Sequence, residues 1–185
     1  MLRTSIVACA VALCTSGCAY SIYAPAERLS YTLPADESWR IANDIPLQVP
    51  DINPGGGITE YVRGNESLEN WTELVTLQTQ YRMAQLSGME TAKDVYQKLV
   101  KSRERECRGS TRWQVIEETP GRIIYEWRSK PCLGWPDQHE VSLLADGTRD
   151  RFRLAYTAKT TEMDGERHDK WLAVLRAAQL QTQSK

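Results

Sequence analysis

The chain has 185 residues and a net charge of −1, with 41% hydrophobic residues, enough for one domain with a real core. There is no basic excess, which argues against nucleic acid as a partner. Beyond the first 17 residues no apolar run is long enough to cross a bilayer.

Residues 1–17 hold one cation, Arg3, then an apolar run from Ile6 to Leu13, then Thr15, Ser16 and Gly17 before Cys18. This layout is that of a secretory signal, too short for a transmembrane helix. The ending Thr-Ser-Gly-Cys resembles the lipobox of bacterial lipoproteins. That resemblance implies that Cys18 becomes the first mature residue and carries acyl chains such as palmitate. It departs from the usual pattern in having Thr15 where a Leu is expected, with Leu13 two positions further back. Ordinary cleavage after Ala19 is the alternative. Ala19 is not Asp, which by resemblance to enterobacterial lipoproteins implies an outer-membrane protein facing the periplasm. Removal of Arg3 with the signal takes the net charge from −1 to −2.

Residues 18–37, with Pro25 and Pro34 and no periodicity, read as a flexible tether, which leaves 38–185 as a single α+β domain. Residues 38–45 are a candidate first strand, and the Pro- and Gly-rich stretch 46–57 is a loop. Its three glycines precede a strand and lack a following Lys-Ser or Lys-Thr, so they are not a phosphate cradle. Ile58, Glu60 and Val62 alternate with Thr59, Tyr61 and Arg63, as strand residues do. After a polar break at 64–70, Trp71, Val75, Leu77 and Tyr81 fall on one side of a second strand and Thr/Gln residues on the other. The pair suits an antiparallel sheet with one covered face.

Residues 83–88 are a connector. Thr91 then caps a helix to about Cys107, with Ala92, Val95, Tyr96, Leu99 and Val100 as its apolar stripe. The cations of 98–108 are interleaved with Glu104 and Glu106 and read as a solvated helix end. Two hairpins follow. The first runs from Arg112 through Thr119-Pro120-Gly121 to Trp127, the second from His139 through 145–148 to Ala158. In the second, Phe152, Leu154, Tyr156 and Ala158 point inward, while Arg151, Arg153 and Thr157 point outward. A last helix spans 164–181, buried through Trp171, Leu172, Val174, Leu175 and Ala178, and 181–185 fray.

Cys9 and Cys14 leave with the signal and Cys18 is the acyl site. Cys107 and Cys132 remain as an even pair in an oxidising compartment, and a disulfide is expected. The loop it closes, about 25 residues, corresponds to roughly 3 to 4 kcal/mol of chain entropy. Two cysteines without a histidine cluster are too few for a metal site.

No signature for nucleophilic catalysis, a metal or a cofactor is apparent. His139 shares a side with Val141 and Leu143 and reads as a satisfied, half-buried histidine. His168, among Glu166, Arg167, Asp169 and Lys170, reads as solvated. Glu60, Glu73, Glu117 and Glu126 lie on strands and could cluster. Asn65 and Asn70 match a glycosylation acceptor pattern by chance.

The segment 60–73, EYVRGNESLENWTE, is similar to a motif in a set of bacterial exported proteins and lipoproteins with no assigned activity, as are 137–141, DQHEV, and 151–159, RFRLAYTAK. The resemblance covers roughly 57–176 and implies an envelope location. The order of elements is also similar to that of the Mog1/PsbP-like α/β/α sandwich.

The fold expected is therefore α+β, an antiparallel sheet of about six strands with two packed helices. The function expected is a lipid-anchored, non-catalytic envelope module that binds a protein partner. The loop 131–137 supplies Leu133, Trp135 and Asp137 as contact residues, and the polar loop 64–70 supplies Asn65 and Glu66. The alternatives are a periplasmic inhibitor or immunity-type protein and, third, an enzyme with a site near His139.

Overall fold

The computed structural model describes residues 27–47, 56–80 and 90–182. Seven strands form one antiparallel sheet in the order β2-β3-β4-β8-β7-β6-β5. They are β2 (Trp39–Leu47), β3 (Gly56–Arg63), β4 (Glu73–Gln80), β5 (Thr111–Thr119), β6 (Arg122–Ser129), β7 (Gln138–Asp146) and β8 (Arg151–Ala158). Two helices, α1 (Ala92–Glu106) and α2 (Gly165–Ala177), pack on it. The α+β class holds, and the sheet has one strand more than expected.

The helices lie on opposite faces. Ile124, Val141, Leu143, Leu154 and Tyr156 point toward α2 and pack with Trp171, Leu172 and Leu175. The alternate residues Ile123, Tyr125, Trp127 and Leu144 point toward α1 and pack with Ala92, Val95, Tyr96 and Leu99. In β6, β7 and β8 the period of two holds and both phases are covered. The expectation that Arg151, Arg153 and Thr157 look out to solvent is therefore corrected. Arg151 and Thr157 are buried, and Arg153 is largely covered.

Local chemistry explains both helices. Thr91 and Asp94 form a reciprocal capping box at the start of α1. The Asp164 side chain accepts from the Arg167 N–H at 2.9 Å and caps α2. At the other end of α2 the Arg122 guanidinium donates to the Leu175 and Ala178 carbonyls, which suits the negative pole of the helix. Both edge strands carry an irregularity, at Ala42 in β2 and Ile116 in β5, and β2 also carries Pro46. Such devices blunt exposed edges against further pairing.

Within the stretch read as a tether, Glu27–Ser30 forms β1, which pairs antiparallel with β9 (Gln179–Thr182) just beyond α2. The Glu27 carboxylate accepts from the backbone N–H groups of Thr148, Arg149 and Asp150 at 2.9 to 3.0 Å. Burial opposes its charge, but these donors hold its pKa below the ordinary carboxylate value. Gly147 makes room for it, since a Cβ there would lie 2.1 Å from a Glu27 oxygen.

Candidate functional site

The register places four connections at one end of the sheet. Glu73, Ala158, His139 and Arg128 lie side by side across β4, β8, β7 and β6. The loops 64–72, 130–137 and 159–164 all leave from this end, as does the turn after α1. The loops carrying Asn65 and Trp135 are thus brought to one end, on strands about 14 Å apart at the usual spacing.

The loop 130–137 is held covalently. Cys107, at the end of α1, is bonded to Cys132, with Cα atoms 5.9 Å apart. Cys132 and Trp135 exchange both backbone hydrogen bonds, at 3.1 and 2.9 Å, which closes a two-residue turn. Leu133 and Gly134 occupy its centre with φ of +52° and +83°. Two positive φ angles in succession define the primed type I turn, and the first falls on a residue that pays a steric penalty there. The turn presents Leu133 at 74% and Trp135 at 53% exposure. Asp137 is half-buried where the chain enters β7.

The loop 64–70 is held by polar bonds instead. The Glu66 carboxylate accepts from the Thr72 N–H at 3.0 Å and from the Thr72 hydroxyl at 2.5 Å, while its carbonyl accepts from Arg40. Glu66 is therefore a pillar of the loop, whereas Asn65 is exposed at its tip. Lys159 ties this loop to the 159–164 connector. Its N–H donates to the Thr72 carbonyl at 2.9 Å, and its ammonium lies 4.2 Å from the Trp71 ring centroid.

Behind these loops, on the α2 face, sits a cluster that the sequence reading did not assemble. His139 is fully buried rather than half-buried. His168 is not solvated as expected, because it turns inward from α2 and brings its Nε2 to 2.7 Å from Glu126 Oε2. His139 Nε2 lies 3.3 Å from the same oxygen. Arg128 pairs with Glu126 at 3.3 Å and with Glu162 at 3.6 Å. Burial works against the Glu126 charge, yet the His168 and His139 hydrogen bonds hold its pKa low. The signal for His168 was present: positions 168, 171, 172 and 175 share the spacing of one helix face.

Two histidines and a glutamate within 4.8 Å of one another have the composition of a metal site. The hydrogen bonding argues otherwise. The Met163 N–H donates to His139 Nδ1 at 2.9 Å. A neutral imidazole that accepts at Nδ1 carries its proton on Nε2. The Arg128 Nε–H also points at Nε2 from 3.3 Å, but the shorter Met163 bond fixes the acceptor at Nδ1, so the Nε2 proton goes to Glu126 Oε2 at 3.3 Å and that nitrogen has no lone pair to offer an ion. The arrangement is a clasp on a buried carboxylate, anchoring α2 and the connector to β6 and β7.

The four strand glutamates do not gather. Glu73 is paired with Arg63 and Arg167, Glu117 with Arg176, and Glu60 accepts from Asn43. No helix among the described residues is long and apolar enough to cross a membrane. Cys18 and residues 1–17, which carry the anchoring expectation, lie outside the described residues, as do Tyr81 and residues 83–88. Comparison with protein-family models finds no match, and comparison with curated proteins finds no significant one.

Proposed function

We propose that the protein is a lipid-anchored, non-catalytic module of the bacterial cell envelope, held at the outer membrane through acyl chains on Cys18 and binding a protein partner in the periplasm. The observation that carries the partner-binding reading is the disulfide-pinned turn with Leu133 and Trp135 exposed at its tip. A rigid support removes most of the ordering cost of binding, and tryptophan is among the commonest interface anchors. Leu133 in a positive-φ conformation adds support, because strain of this kind concentrates at functional sites. Asn65 and Asp137 lie on the same end as secondary contacts.

The test is photo-crosslinking in native membranes with a reactive residue at position 133, and at the exposed Val115 as a control. A discrete protein adduct from 133 alone is expected. Trp135→Ala should weaken that capture by at least ~2 kcal/mol in binding, roughly thirtyfold. Undiminished capture by the Trp135→Ala protein would sink the reading. The same rigid turn also suits a diffusible inhibitor that inserts it into a cleft. Intact mass separates the two: a chain starting at Cys18 with acyl chains supports the anchored module, and an unlipidated chain starting at Tyr20 supports the inhibitor. The catalytic reading near His139 is disfavoured by its burial and by the commitment of both ring nitrogens.

A further inference from the structure

We propose that the Glu126–His139–His168 clasp is an acid-sensitive latch, which holds the 159–164 connector against the sheet at neutral pH and releases it when His139 takes up a proton. The connector's backbone is tied to the sheet through the Met163 N–H, which needs the lone pair on His139 Nδ1. Protonation places a hydrogen on that nitrogen. Two N–H groups then face each other at the distance of a former hydrogen bond, and one must move. The ring is fully buried between β6, β8 and the connector, so it has little room to yield.

The charged groups around His139 set the sense of the response. Glu126 and Arg128 face it from β6, His168 from α2 with Asp169 3.7 Å beyond, and Glu162 from the connector through Arg128. Its neighbour on β8 is the apolar Ala158. Burial, the largest influence, holds the pKa of His139 below its ordinary value near 6.5; the Glu126 hydrogen bond opposes this and the Arg128 charge adds to it. A histidine with a depressed folded-state pKa favours the unfolded or opened form as pH falls. The latch is therefore fully closed above about pH 6.5 and loosens as pH drops below that value toward the folded pKa.

The connector joins both docking loops. Its first residue, Lys159, is bonded to Thr72 in the 64–72 loop. Arg128, which bridges Glu126 and Glu162, lies two residues before the 130–137 loop. Opening the latch thus loosens the end of the sheet that carries Asn65, Leu133 and Trp135. This inference stands whether or not a partner docks there.

The experiment uses the mature full chain, wild type and His139→Gln, from about pH 7.5 to about pH 4.5. Imidazole nitrogen chemical shifts report the state of His139. Amide hydrogen exchange, corrected for its intrinsic pH dependence, reports Met163 and residues 160–162. The expected wild-type result is an Nε2–H tautomer at the upper limit. On acidification a doubly protonated ring appears, with at least ~tenfold loss of protection at Met163 while β7 stays protected. The His139→Gln side-chain carbonyl accepts from Met163 at any pH, so its protection should not change. A His139 that stays neutral throughout overturns the proposal, as does one that protonates without loss at Met163, or a variant that loses protection in step with wild type. Should the variant not fold, the two wild-type readouts decide by themselves.

Discussion

On the α2 face, strands β7 and β8 present Val141, Leu143, Leu154 and Tyr156, and Trp171 stacks on Tyr156 with ring centroids 4.1 Å apart. Trp39 meets both rings edge-on, at 5.6 and 6.3 Å. On the α1 face the same two strands present Glu140, Ser142, Arg153 and Thr157. Arg153 pairs with Glu140 and donates to the Tyr125 hydroxyl at 3.1 Å. Ser142 and Thr157 donate to the Glu140 carboxylate. Both faces are covered, but β7 and β8 contribute mainly apolar packing to one and a chain of satisfied polar groups to the other, where the aromatic residues come from α1, β5 and β6. A polar phase in a strand thus reports a need for partners, which water meets at a surface and other side chains meet here.

The two faces should respond differently to repair. Trp171→Ala removes the centre of the aromatic stack and is expected to cost ~3–5 kcal/mol in urea unfolding. Glu140→Ala strands the Arg153 guanidinium and should cost ~3 kcal/mol or more. The paired replacement Glu140→Leu with Arg153→Met removes both charges and should recover part of that loss, the remainder coming from the buried Ser142 and Thr157 hydroxyls left without their acceptor. Trp171→Ala with Tyr156→Leu should show no such recovery, since it enlarges the void. If the apolar pair on the α1 face proves as damaging as Glu140→Ala, the polar chain has a role beyond satisfying its own burial.

Next in size is the disulfide. Replacing Cys107 and Cys132 by serine should cost about 3.5 kcal/mol by the chain-entropy relation for a 25-residue loop. The location of the effect matters as much as its size. The bridge ties the end of α1 to the β6–β7 loop. Exchange should accelerate in the last turn of α1 and in 130–137, and stay unchanged in α2. Equal loosening of both helices would mean that the two faces do not open independently.

These contrasts explain what could be read from the chain. Hydrophobic alternation located β3 to β8, because each has one apolar phase. The apolar stripe of α1 and the spacing of Trp171, Leu172 and Leu175 located the helices. The Cys107–Cys132 bridge followed from compartment and count. Alternation cannot say whether a second layer covers the polar phase, so it points Arg151 and Thr157 to a surface they do not occupy. The β1–β9 pair joins residues more than a hundred positions apart, through short segments with no periodicity of their own. His168 was lost among its charged neighbours, although its spacing from Trp171 and Leu172 put it on the buried side of α2. The exposure of Trp135 depended on a turn geometry that neither Gly134 nor Cys132 announces separately.

The smallest expected effect concerns that turn. Leu133 sits at φ +52°, a conformation that costs an ordinary L-residue about 1–2 kcal/mol and glycine almost nothing. Leu133→Gly relieves this cost but adds freedom to the unfolded chain, worth about 0.4–1 kcal/mol in the other direction. The net expectation is a protein more stable by about 0.5 kcal/mol, read as a small rise in urea midpoint at unchanged slope. Leu133 is largely exposed, so little packing is lost in the exchange. The same substitution should weaken partner capture through the turn, because it removes one of the two exposed apolar side chains. A gain in stability with a loss of binding would mark Leu133 as kept for what it contacts. A loss of both would mean that the leucine side chain supports the turn, and the docking surface would shrink to Trp135.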